Sequence, residues 1–142
     1  MLVFRTSIPS AALAFFLVCG AGCGSDNGAG GKSVTTSAAV KEFVVEHPNS
    51  VVLFSRQSCP SCTFVMPLFE AVRQRYEKMP QAVSFLKVDI SSDTQHLKTD
   101  FSFATVPTFI YFKNGAAVLS HGSNYKKLTE KDIEENIRKL YF

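Results

Sequence analysis

The chain has 142 residues, of which 46% are hydrophobic and 19% are charged, and its formal net charge at pH 7 is +3. This length fits one domain, and the composition is typical of a folded globular chain and too apolar for intrinsic disorder. The small net charge provides no basic stripe, which excludes nucleic acid as a default partner, and four Cys are too few for a disulfide scaffold of this length.

The first 23 residues have the layout of a secretory signal peptide. One basic residue, Arg5, precedes an apolar run of about a dozen residues, and small residues follow that run. The run is short for a bilayer span, which needs about 20 apolar residues, and a mitochondrial presequence would carry several Arg. We therefore expect residues 1–23 to direct export to a secreted, periplasmic or lumenal location, with a mitochondrial location as the less favoured alternative.

Cys23 lies where a bacterial lipoprotein signal places its lipidated cysteine. The small residues before it fit such a signal, although Gly20 stands where the usual Leu would be. A lipid on Cys23 would be the chain's only attachment to a membrane; the alternatives are that Cys23 is removed with the signal or remains a free thiol. Residues 24–36 are rich in small and polar residues and are predicted to form a flexible linker, so the folded domain is expected over 37–142.

The rest of the chain alternates helix and strand patterns in the order α-β-α-β-α-β-β-α. The predicted segments are a helix capped by Ser37 and ended by Pro48, a strand over Ser50–Phe54, a helix from the Cys59–Cys62 loop to about Lys78, a strand over Val83–Ile90, a polar helix over Thr94–Asp100, strands over Pro107–Phe112 and Ala116–Ser120, and a helix opened by the capping box Thr129–Asp132. Asn114-Gly115 is a turn signal that makes the last two strands a hairpin. This pattern predicts one α/β domain.

Cys59 and Cys62 stand two residues apart, after a buried strand and at the start of a helix. The free amides and the dipole at a helix start stabilise an anion, so the pKa of Cys59 is expected below the value of about 8.5 for a free cysteine. A thiolate is the species that attacks a disulfide, and Cys62, one turn inside the helix, is close enough to attack the resulting mixed disulfide. Pro60 suits the first helical position because its missing N–H donor is not needed there.

Other interpretations of this cysteine pair are a zinc site, an inert structural disulfide and a pair of core residues. Zinc needs two more ligands, and the three His of the chain are scattered. A disulfide that closes so small a loop stabilises little, and the polar segment Arg56-Gln-Ser58 before Cys59 argues against a core position. We therefore predict no metal and no cofactor.

Pro107 is the second candidate site residue. It lies in Thr105-Val-Pro107-Thr108, directly before a strongly apolar strand. A proline is permitted as the first residue of a strand, and it is also the residue at which cis peptide bonds occur, in which case the segment could present its backbone to a bound peptide. The sequence leaves both interpretations open.

Together these motifs resemble the thioredoxin family over residues 37–142. In the order and spacing of that family stand Cys59-Pro-Ser-Cys62, Pro67, Lys87-Val-Asp89, Thr105-Val-Pro107-Thr108, Phe112-Lys-Asn-Gly115 and Gly122. The resemblance implies a thioredoxin-like fold, with a central mixed four- or five-stranded sheet flanked by helices. It implies Cys59 as the attacking thiol, Cys62 as the resolving thiol, Pro107 as a cis proline packed against the pair, and Val106, Pro60 and Ser61 as further substrate-binding residues.

The chain departs from the family at three positions near the cysteines. Ser58 stands where thioredoxins usually carry Trp, Pro60-Ser61 replaces their usual Gly-Pro, and Leu53 replaces a buried Asp that assists proton transfer at the resolving thiol. Resolution of the mixed disulfide is therefore expected to be slower or to use another base. Glutaredoxins share part of the pattern, but their Gly-Gly pair with a following Asp is absent from His121-Gly-Ser-Asn124.

These features predict a thiol–disulfide oxidoreductase that exchanges disulfides with protein substrates. Its expected partners are protein disulfides or dithiols and an upstream reductase or oxidase. Whether it reduces or oxidises depends on its reduction potential relative to its compartment. Two alternatives stay open: a non-catalytic module that binds protein through the Pro107 segment, motivated by the missing Trp and Asp, and a reductase dedicated to one partner.

Overall fold

The computed structural model describes residues 33–79, 83–122 and 125–142. The elements in chain order are β1 (Ser33–Val34), α1 (Ser37–Glu46), β2 (Ser50–Ser55), α2 (Pro60–Tyr76), β3 (Ser84–Asp89), α3 (Thr94–Asp100), β4 (Thr108–Lys113), β5 (Ala116–Gly122), a 3₁₀ turn (Tyr125–Lys127) and α4 (Glu130–Tyr141). From the first helix onward, this order is the predicted one with the 3₁₀ turn added. The expected signal peptide and most of the expected linker, including Cys19 and Cys23, lie outside the described residues.

One five-stranded mixed sheet, in the order β1-β3-β2-β4-β5, forms the centre of the fold. β3 runs parallel to both β1 and β2, whereas β4 runs antiparallel to β2 and to β5. A sheet of this kind flanked by four helices confirms the predicted α/β class. Within the described ranges, no helix has both the length and the apolar character needed to cross a bilayer.

Helices cover both faces of the sheet, and two apolar cores result. One core joins β2, β3 and β4 to α2 and α4, and the other joins the same strands to α1 and α3. In β2, Val51 and Leu53 belong to the first core, while Val52 and Phe54 belong to the second. Because alternate residues of a strand point to opposite faces, a central strand covered on both sides must be apolar at every position, which explains the continuous run in this segment.

Two details at the start of the domain correct the sequence predictions. Residues 33 and 34, assigned to the flexible linker, form β1 and pair with β3. The cap of α1 is Thr36, whose Oγ1 accepts a hydrogen bond from the Ala39 amide at 3.3 Å, so the prediction of Ser37 as the cap is wrong. Ser37 is instead buried, and its hydroxyl donates to the carboxylate of Asp100 at the end of α3.

The β4–β5 hairpin closes with the two-residue turn that Asn114-Gly115 predicted. Lys113 and Ala116 face each other at its ends, and the two turn residues have φ values of 54° and 79°. Both values lie in the left-handed region, which glycine and asparagine enter most readily. The amide of Gly115 donates to the carbonyl of Pro48 at 2.9 Å, so the turn is also fixed to the connection before β2.

Replacing Gly115 by Ala should therefore destabilise the fold through backbone conformation alone. A Cβ at this position would meet nothing within 4 Å, so no steric clash contributes. We expect Gly115→Ala to lower the free energy of unfolding by about 1–2 kcal/mol, measured by urea denaturation, because an L-residue is strained at positive φ. Gly115→Asn is the matched control and should lose less, since Asn tolerates this region better. A lower free energy of unfolding for Gly115→Asn than for Gly115→Ala would contradict this explanation.

Candidate active site

A disulfide between Cys59 and Cys62 lies at the N-terminus of α2. The two Cα atoms are 5.2 Å apart, and Cys59 is the N-cap residue of the helix. Its Sγ accepts a hydrogen bond from the Cys62 amide at 3.2 Å, and Pro60 occupies the first helical position as predicted. The sulfur of Cys59 therefore occupies the place where the free amide donors of a first helical turn converge, which is the place that stabilises a thiolate once the bond is reduced.

The two cysteines differ in access to solvent. Cys59 is 8% exposed and Cys62 is 2% exposed, so the first sulfur is the one nearer the surface. Pro60 is exposed and Ser61 is half-buried, which places the dipeptide between the cysteines at the rim of the site. This order of access fits Cys59 as the sulfur that meets a substrate and Cys62 as the shielded sulfur.

The loop before Cys59 is fixed by hydrogen bonds to the end of β3. The Gln57 amide donates to Ser91 Oγ at 3.2 Å, and the Ser91 amide and hydroxyl donate to Asp89 at 2.9 and 2.5 Å. Partial burial raises the pKa of Asp89, but the hydrogen bonds from Ser91 and Gln57 outweigh it, so the pKa lies below its usual value. Ser58 completes the loop at a φ of 54°, in the left-handed region.

This hydrogen-bonded chain was not foreseen from the sequence. Asp89 was singled out only as part of a family motif, and Gln57 and Ser91 are 34 residues apart along the chain. The local signal was the spacing Asp89-x-Ser91, because an Asp that accepts from the backbone amide two residues later forms a recurrent turn. The loop before Cys59 comes close to that turn only because β2 pairs with β3, which the local sequence does not reveal.

The peptide bond between Val106 and Pro107 is cis, and Pro107 stands directly before β4. Pro107 is buried and Val106 is half-buried. Thr108 Oγ1 donates to the Thr105 carbonyl at 2.6 Å, which closes the turn before β4. A Cβ built on Gly122, the last residue of β5, would approach Thr108 Oγ1 to 2.7 Å, so only glycine leaves room for this turn.

The cis-proline segment lies against the beginning of α2. Pro107 and Val65 line the same small cleft, together with Phe109, His121, Gly122, Tyr125 and Leu128. Val65 follows Cys62 by three residues in the buried stripe of α2. The structure therefore brings Cys59, Cys62 and Pro107, which are up to 48 residues apart in the sequence, to one end of the sheet.

Leu53 occupies the sheet position behind the start of α2. It is fully buried, shares a core with Val65, and stands in register with Lys87 on β3 and Phe109 on β4. Side chains in register on neighbouring strands point to the same face, so Lys87 is directed to the α2 side of the sheet, where it is half-buried. Leu53 itself is aliphatic, so its side chain has no ionisable atom that could exchange a proton with the cysteines.

Two of the three histidines are bonded elsewhere, whereas His121 lines the cleft that also contains Pro107. His47 Nδ1 lies 3.1 Å from Ser84 Oγ, and His96 pairs with Asp93 on an exposed part of α3. Among residues 33–79, 83–122 and 125–142, no group of three or more His, Cys, Asp or Glu side chains is placed to hold a metal ion. The cysteine pair at the described site can alternate between a disulfide and a dithiol.

Comparison with known proteins agrees with this geometry. The sequence model of the thioredoxin family matches residues 32–139. Thioredoxin of Equus caballus is 34% identical over 100 residues, which cover 68% of this chain and 90% of the relative, and thioredoxin of Ovis aries is 32% identical over 87 residues, which cover 61% and 78%.

Solved structures show the same fold. The X-ray structure of Fasciola hepatica thioredoxin has a TM-score of 0.64 at 25% identity and covers 77% of this chain and 98% of its own. The solution structure of oxidised thioredoxin from Plasmodium falciparum has a TM-score of 0.62 at 23% identity and covers 80% and 100%. With a Cys59–Cys62 disulfide at the start of α2, the chain is a thiol–disulfide oxidoreductase, and it belongs to the thioredoxin family.

Proposed function

We propose that this protein exchanges disulfides with protein substrates and that Cys59 makes the first bond to the substrate. The observation that carries the proposal is the position of Cys59 Sγ, at the helix N-terminus and within hydrogen-bond distance of the Cys62 amide. A helix N-terminus lowers the pKa of a thiol, so a larger share of Cys59 is thiolate at neutral pH. Its greater exposure makes it the sulfur that a large substrate can reach.

In the reductive direction, two displacements at sulfur complete the reaction. The Cys59 thiolate attacks one sulfur of the substrate disulfide, so that a bond forms between protein and substrate, the substrate's own S–S bond breaks, and one substrate thiolate leaves and takes a proton from water. Cys62, as a thiolate, then attacks Cys59 Sγ, which forms the internal disulfide and releases the second substrate thiolate. Two electrons pass from the protein dithiol to the substrate, and the oxidative direction reverses each step.

The segment around Pro107 supports a polypeptide as the substrate. Val106 is half-buried and directly precedes the cis proline before β4, and we assign its backbone to the edge of the site. An extended peptide can pair with such a backbone segment through main-chain hydrogen bonds. Pro60 and Ser61, at the rim, would contact residues on the other side of the substrate cysteine.

The signal-like residues 1–23 support action in an exported compartment. Such compartments favour disulfides over thiols, so a dithiol there must be regenerated by a dedicated donor, or an oxidase must be recharged by an acceptor. We therefore include an upstream reductase or oxidase among the partners. A lipid on Cys23 would hold the domain at a membrane surface.

Loss of the first thiol should abolish activity. We expect Cys59→Ser to reduce insulin no faster than dithiothreitol alone, because serine cannot form the mixed disulfide, while the unchanged chain accelerates the reaction. If the unchanged chain shows no activity that depends on Cys59, the domain is a binding module without catalysis.

Removal of the second thiol should trap substrates. Without Cys62, no thiolate of the protein can attack the bond between Cys59 and the substrate. Cys62→Ala should therefore accumulate mixed disulfides that an added reductant cleaves. Non-reducing gels of the exported protein fraction would show them. Many trapped proteins indicate a general oxidoreductase, and a single one indicates a dedicated reductase; Cys59→Ser/Cys62→Ala is the control and should trap none.

A carboxylate behind the pair should accelerate release of the substrate. In Leu53→Asp, a buried base would accept the proton of Cys62, and we expect release of a mixed disulfide at least about 10-fold faster than in the uncharged control Leu53→Asn. Both variants lose stability because Leu53 is fully buried, so circular dichroism must first show that each is folded. Equal release rates in the two folded variants would contradict a role for proton transfer at this position.

The leader can be tested by mass spectrometry of the full chain after expression in a bacterial host. We expect an N-terminus at or just after residue 23, because the small residues there suit a signal-peptide cleavage site. An acylated Cys23 as the first residue would identify a lipoprotein, and Cys23→Ser should then release the protein from membranes. A mature chain that still begins at Met1 would overturn the proposed export.

A further inference from the structure

An aromatic pair, with Phe64 exposed and Tyr125 half-buried, joins the start of α2 to the 3₁₀ turn. Phe64, two residues after Cys62, is 49% exposed, and its ring centre is 6.2 Å from that of Tyr125 in an edge-to-face arrangement. On α2, Phe64 shares a face with Pro60, four residues earlier, and Tyr125 lines the cleft that also contains Pro107. An apolar strip therefore runs from Pro60, which directly follows Cys59, to the cis-proline segment.

Positively charged residues stand close in the chain to the cysteines and to Tyr125. Arg56 stands three residues before Cys59, and Lys126 and Lys127 directly follow Tyr125; all three are exposed. Within the part of the chain that the structure describes, none of the three forms an ion pair. We call Arg56, Phe64, Tyr125, Lys126 and Lys127 the aromatic–cationic rim.

Several carboxylates on the elements around the rim are already engaged by other groups. Asp89 accepts from Ser91, and Asp132 accepts from the Thr129 amide and hydroxyl at the start of α4. On α2, the first turn contains no acidic residue, and Glu70 pairs with Arg73.

Glu130 completes the set, because it pairs with Arg75 across α2 and α4. Among the described residues, none of these carboxylates forms an ion pair with Arg56, Lys126 or Lys127.

We propose that the rim selects protein substrates in which an apolar side chain and acidic residues flank the reactive cysteine. The inference rests on the proposed function and names its substrate class. The exposed ring of Phe64, on the same face of α2 as Pro60, offers an apolar surface against which an apolar side chain of the substrate can be buried favourably. Arg56, Lys126 and Lys127 attract Asp and Glu and raise the rate of productive encounter, as complementary charge does at other protein surfaces.

Two peptides can test the rim. Each carries one cysteine linked to thionitrobenzoate and a Phe two residues away; one has four flanking Glu and the other has four flanking Lys. Release of thionitrobenzoate by the reduced protein is followed by stopped flow. We expect the acidic peptide to react about 10-fold faster than the basic one at low ionic strength, and the ratio to fall toward about 1 in 1 M salt, where charges are screened within about 3 Å.

Two charge variants with the same change in net charge separate the rim from the overall field of the protein. Lys126→Glu/Lys127→Glu should reverse the preference between the peptides. Lys78→Glu/Lys113→Glu is the matched control. Lys78 follows the C-terminal end of α2, whereas the cysteines lie at its N-terminal end. Lys113 adjoins the β4–β5 turn, which is hydrogen-bonded to Pro48 before β2, whereas the cysteines follow β2. This control should retain the preference. An equal effect of both variants, or none from the first, would overturn the proposal.

A third variant tests the apolar contact, and a small disulfide tests the chemistry. Phe64→Ser should slow the peptides that contain Phe several-fold relative to matching peptides with Ala. All peptide rates are divided by the same variant's rate with uncharged 2-hydroxyethyl disulfide, so that changes in the cysteines themselves cancel. If the unchanged protein reduces this small disulfide but does not discriminate between the peptides, the proposal about the rim is wrong and the proposed disulfide exchange is retained. If it reduces neither, the proposed function itself fails.

Discussion

The position of one sulfur atom at the beginning of a helix is the constraint on which the rest of this structure depends. Cys59 follows β2, a strand buried on both faces between β3 and β4, and it caps α2. The strand fixes where the helix can begin, and the helix provides the amide of Cys62 that faces the sulfur. A thiol placed elsewhere on the chain would lack both this anchored backbone and this donor.

Sheet topology explains why the other parts of the site meet at this point. β2 and β3 are parallel, so the loops that follow them emerge at the same end of the sheet, and the turn of Asp89 and Ser91 reaches Gln57. β4 is antiparallel to β2, so its first residue, Thr108, pairs with Phe54 near the end of β2. The cis-proline segment before β4 must therefore lie beside the cysteine loop, although it comes from a later part of the chain.

Local chemistry made much of the fold predictable. The capping box at Thr129 and the turn at Asn114-Gly115 were predicted correctly because each depends on residues within a few positions of one another. The cap of α1 was misplaced because Thr36 and Ser37 are locally equivalent hydroxyls. The choice between them depends on Asp100, 63 residues after Ser37, which takes the serine hydroxyl into the packing of α1 against α3.

Contacts between distant segments also limited how much of the site could be predicted from the sequence. The cysteine motif could be predicted to open a helix, whereas β1 is only two residues long and exists because β3 offers an edge for pairing. The hydrogen bond of Gln57 to Ser91 and the contact of Phe64 with Tyr125 likewise join segments whose proximity the chain order does not reveal. The sequence patterns therefore identified the cysteine pair at the helix start better than they identified the surroundings that orient it.

The tight space at Gly122 has a consequence for how variation in this chain should be interpreted. Thr108 Oγ1 is committed to the Thr105 carbonyl and cannot turn away from an added methyl group without giving up that bond. A larger residue at the end of β5 would push on the segment that carries Pro107. A substitution at this unreactive glycine, 60 positions beyond Cys62, could then abolish the activity of the cysteine pair in a molecule that still folds. A search for the cause that is confined to the cysteine motif would miss it.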